Sequence, residues 1–218
     1  MDKRDVETYV TRYSTRLSEF GYDPRALGWG KGGRQEVRFS VLSGPILKQK
    51  TGSVLDVGCG FADLYGYLRA QGWEGRYTGV DLVPGLVEVA RQRYPNLDVR
   101  VVDFSTADLL ESYDFVVACG AFNAKLVHTD NEQYIEEMLR RMWRHTRQVL
   151  ACDFMTTEVD YQASGAWHTD PSWALTRVLS LTRRVVLRSD YMPYEYAVFA
   201  MRDTEASLQN VFKHQSLL

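Results

Sequence analysis

The chain has 218 residues, 45% of them hydrophobic and 25% charged, with a formal charge of −2. These ordinary globular values exclude a disordered or fibrous chain and argue against a nucleic-acid partner, and the length suits one substantial domain over 1–218. No window reaches the ~20 apolar residues of a membrane span, and the opening MDKRDVETYVTRYSTRL has no apolar signal region, so a cytoplasmic protein with no membrane partner is expected.

Val6, Tyr9, Val10, Tyr13 and Leu17 recur at helical spacing, so residues 3–20 read as an amphipathic helix. The run GYDPRALGWGKGG interrupts it with Gly and Asp-Pro turn chemistry, and a second helix is expected over 34–47. Residues 1–50 thus read as lid helices ahead of a core over 51–202. Strand-like and helix-like segments then alternate: SVLDVG, a helix over 63–71, RYTGVD, a helix over 84–94, DVRVVD, YDFVVACG, a helix over 131–145, and QVLACDFM. Such alternation predicts an α/β, doubly wound, Rossmann-like sheet. Asp170 and Pro171 read as the N-cap and first residue of a helix reaching 181. RRVVLRSDY and EYAVFAMR follow three residues apart, a spacing that joins antiparallel neighbours. The expected fold is a seven-stranded, mostly parallel sheet closed by an antiparallel C-terminal hairpin, with a tail over 203–218.

Gly58, Cys59 and Gly60 directly follow the first strand and precede a helix, so a ligand can approach the bare backbone and the helix N-terminus. Asp81 ends the second strand, where a carboxylate can accept hydrogen bonds from ribose hydroxyls. In a dinucleotide fingerprint the third glycine would fall at Asp63, whose charge would repel a pyrophosphate. Asp56, two residues before the first glycine, suits a cationic amino-acid ligand instead. The charges therefore point away from NAD and toward S-adenosylmethionine.

These residues resemble the class I S-adenosylmethionine-dependent methyltransferases, whose first motif is an acidic residue followed by alternating glycines, here Asp56, Gly58 and Gly60. The third glycine of that pattern is Ala62, a mild departure. The resemblance implies that Asp81 binds ribose with Leu82 beside the adenine, that Asp103 and Phe104 of VVDF lie near the adenine, and that the backbone at Cys119 and Gly120 faces the methionine end. It covers about Ser53 to Phe154, and the family's reversed last strand agrees with the closing hairpin.

A sulfonium gains from aromatic faces and oxygen lone pairs. Tyr9, Tyr13, Tyr22 and Trp29 precede the core, Asn123 follows the fourth strand, and Tyr161, Trp167, Tyr191 and Tyr194 lie around the fifth-strand loop and the hairpin. Tyr13, Asn123 and Tyr161 are the candidates for catalysis. The ligand's carboxylate needs a donor, and Arg34, Gln35 and Arg38 open the helix leading into the site, with an arginine fork the natural choice. Other features read as bland: Arg140 to Arg147 as a solvated helix face, Cys59, Cys119 and Cys152 as small buried residues, and His168 as a surface-loop residue. His128, His145 and His214 lack partners at metal spacing, so no metal is expected.

The leading expectation is in-line methyl transfer to a small-molecule acceptor. A runner-up is cyclisation of S-adenosylmethionine itself to azetidine-2-carboxylate and methylthioadenosine, since some proteins of this fold and size do this and no acceptor base is obvious. A non-catalytic S-adenosylmethionine-binding module is the third reading. The acceptor and the oligomeric state are not written in the sequence.

Overall fold

The structure is a computed structural model that describes residues 1–29, 34–107 and 109–203. The expected tail lies outside the described residues beyond Asp203, as do residues 30–33 of the glycine-rich run. Seven strands, β1 (Ser53–Val57), β2 (Arg76–Asp81), β3 (Asp98–Val101), β4 (Tyr113–Ala118), β5 (Thr146–Met155), β6 (Val185–Arg188) and β7 (Glu195–Met201), form one sheet in the order β3-β2-β1-β4-β5-β7-β6. The first five run parallel, and β7 is antiparallel to both β5 and β6. The order reverses at β1 and β4, and ligands of open α/β sheets bind at such a switch point, off the carboxyl ends of the strands.

Every residue of β1 is buried, as a central parallel strand covered on both faces requires. Val54 packs under one layer and Leu55 under the other. The first layer is α2 (Arg34–Leu42), α3 (Gly44–Leu47), α4 (Asp63–Ala70) and α5 (Pro84–Arg93), the second α6 (Asn131–Arg144) and α7 (Pro171–Leu179). The single helix expected over 34–47 is divided at Ser43, because Pro45 has no N–H to continue the ladder. The β6–β7 connection spans 189–194 and not three residues: β6 stops at Arg188, whose guanidinium is held by Asp190 at 3.0 Å. None of the described helices is long and apolar enough to cross a membrane.

Helix α1 (Lys3–Phe20) packs Tyr9, Tyr13, Leu17 and Phe20 against Phe61, Val83 and Leu86. Asp5, buried, accepts from the backbone N–H groups of Val127 at 2.9 Å and His128 at 3.0 Å. Those two bonds fasten the helix across the loop after β4, and so over the carboxyl edge of the sheet.

Candidate functional site

The turn after β1 holds three left-handed residues, Gly58 (φ 78°), Gly60 (φ 54°) and Ala62 (φ 58°). A Cβ at Gly58 would lie 3.2 Å from that of Ala121, so the bare backbone is needed for the close approach of the β4 loop. Ala62 is fully buried in a conformation that costs an L-residue about 1–2 kcal/mol, which explains why the pattern favours glycine there.

Three carboxylates stand in a row at the carboxyl ends of β1, β2 and β3. Asp56 is buried and accepts the Tyr77 hydroxyl at 2.6 Å. Burial pushes its pKa up to about 7 against the lowering effect of that hydrogen bond. Asp81 accepts from Gly60 N–H and Val83 N–H, each at 2.8 Å, and so braces the glycine turn. Its pKa is raised by burial, with the backbone amides of Val83, Gly60 and Leu82 acting in the opposite direction. Asp103 accepts from Ser105 through the backbone N–H at 2.9 Å and the hydroxyl at 2.6 Å, both on Oδ1, so that neither of these bonds occupies Oδ2.

Two narrow clefts, each about 50 Å³, run along this row. One is lined by Asp56, Gly58, Cys59, Gly60, Cys119 and Gly120, together with Gln35 and Trp29. The other is lined by Leu82, Asp103, Phe104 and Tyr134. They meet at Tyr9, Gly58, Asp81 and Ala121. The structure thus gathers all ten turn, strand-end and β4-loop residues named from the sequence along one edge. Asp63 is different: it holds Arg93 at 2.5 Å, the Tyr22 hydroxyl at 2.9 Å and Gln35 Nε2 at 3.3 Å. Its charge is compensated by a latch between α4, α5 and the N-terminal segment, so Asp56 disfavours a pyrophosphate more than Asp63 does.

Of the three donors opening α2, Gln35 lines the first cleft, whereas Arg34 and Arg38 line an adjoining compartment of about 380 Å³. Arg38 is 5% exposed, its Nε 2.5 Å from Glu195 and 3.2 Å from Asp153, and its Nη2 also donates to Glu195. Asp153 accepts in addition from Gly120 N–H at 2.6 Å. Burial lowers the Arg38 pKa and raises that of Asp153, each opposed by the partner's charge. The Trp29 ring lies 4.2 Å over the Arg38 guanidinium, and a Cβ at Gly120 would run into the same indole. Trp29 therefore lies against both Arg38 and Gly120 of the β4 loop. Glu195 and this stacking were not foreseen; the available signal is an acidic residue opening the otherwise apolar strand EYAVFAM.

Tyr13 lines both the first cleft and the compartment, its ring 4.6 Å from that of Tyr9. Asn123 also lines the compartment and fixes its wall, accepting from Met155 N–H at 3.1 Å through Oδ1 and from Trp167 N–H at 3.0 Å through its carbonyl. Tyr161, 78% exposed, stands apart from these two, in an outer compartment of about 410 Å³. His168 is not on the surface: it is buried beside that outer compartment with Nδ1 2.7 Å from the Thr156 carbonyl, because β5 and the stretch before α7 bridge at Thr156 and Thr169. Among the described residues no cluster of His, Cys, Asp and Glu could hold a metal. Cys59 and Cys152 are buried and Cys119 half-buried, all free thiols.

Residues 54–149 match the family described as the methyltransferase domain. Rv1506c of Mycobacterium tuberculosis, named as a methyltransferase, is 29% identical over 157 residues, 69% of this chain and 93% of that protein. Among solved structures, magnesium protoporphyrin IX methyltransferase from Synechocystis PCC 6803, with bound S-adenosylhomocysteine, superposes with a TM-score of 0.67 at 16% identity, over 91% of this chain and all of that one. The sugar N-methyltransferase KedS8 from Streptoalloteichus sp. does so with a TM-score of 0.61 at 18% identity, over 84% of this chain and 93% of that one. At these identities the two structures establish the fold.

Proposed function

From the premise that the chain is a class I S-adenosylmethionine-dependent methyltransferase, its domain at residues 54–149, we propose that it methylates a small molecule seated in the compartment beyond Trp29. The observation that carries this reading is the compartment itself. About 380 Å³ in volume, it shares Tyr13, Trp29 and Gly120 with the cleft over the glycine turn, and so offers room for a second substrate next to the methionine end.

The residues fit the cofactor. Asp56, Asp81 and Asp103 supply three carboxylates along the edge against one ammonium, that of Met1 on the Ser105 hydroxyl at 3.1 Å, a net charge wrong for a phosphate and right for a cationic amino-acid nucleoside. S-adenosylmethionine supplies a methyl group made electrophilic by its sulfonium. Asp81 would hold the ribose hydroxyls, Asp103 Oδ2 with Leu82 and Phe104 the adenine, Asp56 the ammonium group, and Gln35 the carboxylate. The clefts are narrower than the roughly 300 Å³ of ordinary ligand sites, so the aromatic cover of Tyr9, Tyr13 and Trp29 shifts on binding. Tyr13 and Asn123 would orient the acceptor, and orientation is the main contribution the chain makes to a displacement of this kind.

Asp56 makes cofactor binding pH-dependent. A ligand ammonium requires the ionised carboxylate, and burial sets the Asp56 pKa near 7. Affinity therefore falls as the carboxyl takes up its proton, with Kd rising toward about tenfold per pH unit below about 7. Above that range Asp56 is fully ionised and the gain ends. Calorimetric titration with S-adenosylhomocysteine checks this; an acid limb as flat as that of Asp56→Asn would show that Asp56 does not meet the ammonium.

Incubation with S-adenosylmethionine alone tests the need for a second substrate. Mass spectrometry is expected to find the cofactor intact beyond its spontaneous decay. Catalytic release of methylthioadenosine would refute methyl transfer and restore the cyclisation.

A further inference from the structure

Among the described residues, four arginines, Arg12, Arg16, Arg34 and Arg38, line the inner compartment with one carboxylate, Glu195, which already accepts from Arg38. Arg12 and Arg34 have no acceptor among the described residues, and Arg16 gives one N–H to the Arg25 carbonyl at 3.0 Å. Arg38, although buried, leaves Nη1 without a partner. An unsatisfied guanidinium N–H in a buried position is costly, and uncompensated arginines around it build a positive potential. Arg34 lies close enough to Arg38 to disfavour its charge. The ion pair with Glu195 and Asp153 accounts for Arg38 as a structural residue but leaves Arg12 and Arg34 without an acceptor among the described residues.

The outer compartment continues from the inner one across Arg34, Met155, Ala163 and Glu195, and beyond that shared wall it presents apolar groups, among them Val159, Met192 and Pro193. Asp160 is its exposed carboxylate, and His168 presents a buried Nε2 without a partner. Positive charge nearest the reacting end and apolar surface beyond it describe a ligand with the opposite halves.

On the methyltransferase reading above, we propose that the acceptor is an amphipathic anion, its carboxylate or phosphate head held by Arg12, Arg34 and the open Nη1 of Arg38 and its apolar body in the outer compartment. The guanidinium fork suits either head, and the body would displace water from Met155, Val159 and Met192.

The test uses the full chain loaded with S-adenosylhomocysteine, titrated calorimetrically with 2-naphthylacetate, 2-naphthyl phosphate and the neutral 2-naphthylacetamide. At least one anion should bind about tenfold more tightly than the amide, the scale of one charge-assisted hydrogen bond. A double variant, Arg12→Gln with Arg34→Gln, both exposed positions, should bring that anion to the level of the amide while S-adenosylhomocysteine affinity stays within about twofold. Whichever anion binds better identifies the head. Equal binding of all three probes, no binding of either anion, or a preference that survives the double variant would overturn the proposal. If S-adenosylhomocysteine itself does not bind, the assignment of the glycine turn has failed. The same titrations on the free protein then judge the anion site by the same outcomes.

Discussion

Arg38→Met is expected to destabilise the protein by about 3–5 kcal/mol at neutral pH, the usual cost of leaving buried carboxylates without their cation. Asp153 is 1% exposed and Glu195 8%, and each has Arg38 as its cationic partner. Burial already holds the Asp153 pKa above that of the unfolded chain, about 3.9 for an aspartate, and without the guanidinium it rises further, with that of Glu195 raised as well. The folded protein then binds more protons than the unfolded one, so stability falls as pH rises from about 4 through the raised values. The deficit should therefore shrink between about pH 7 and pH 5, as both carboxyls neutralise. Urea unfolding at the two pH values measures it. A loss under about 1 kcal/mol, or one that does not change with pH, would show that water or a rearranged neighbour replaces the arginine. Asp153 also holds Gly120 N–H, so the variant should loosen the β4 loop at the methionine end.

Asp81→Ala should weaken S-adenosylhomocysteine binding by about a hundredfold or more while leaving the fold in place. Two lost hydrogen bonds between a carboxylate and ribose hydroxyls account for about 3 kcal/mol or more. The same substitution frees Gly60 N–H and Val83 N–H, which Asp81 now accepts, and so relaxes the turn the nucleoside would lie against. Circular dichroism and calorimetry separate the two effects. A well-folded variant with unchanged affinity would mean that the ribose lies elsewhere, whereas loss of the fold would mark Asp81 as mainly a brace.

The parallel half of the fold was legible because its signals are local. β1 and β4 are largely apolar runs, β2 and β3 alternate apolar with polar residues, and α4 to α6 begin at their expected starts. The carboxylate row was legible for the same reason: Asp56, Asp81 and Asp103 stand at or beside strand ends, and a parallel sheet brings those ends to one edge. What escaped is long-range. Arg38 and Glu195 are separated by 157 positions, and no periodicity near either announces the other. His168 follows polar, glycine-containing sequence that reads as surface, yet the bridge between Thr156 and Thr169 draws it inside. Ala62 shows the reverse case, a residue whose left-handed backbone follows from its place in the glycine pattern.

The placement of β7 between β5 and β6 has a consequence for the order of assembly during synthesis. Glu195 is the first residue of β7, so a nascent chain that has delivered β1 to β6 can have its glycine turn and all three edge carboxylates in place while Arg38 still lacks Glu195. The strand must then enter between two neighbours that precede it in the chain. The wall of the inner compartment closes only after translation has passed residue 201, which separates in time the completion of the carboxylate edge from that of the compartment beside it.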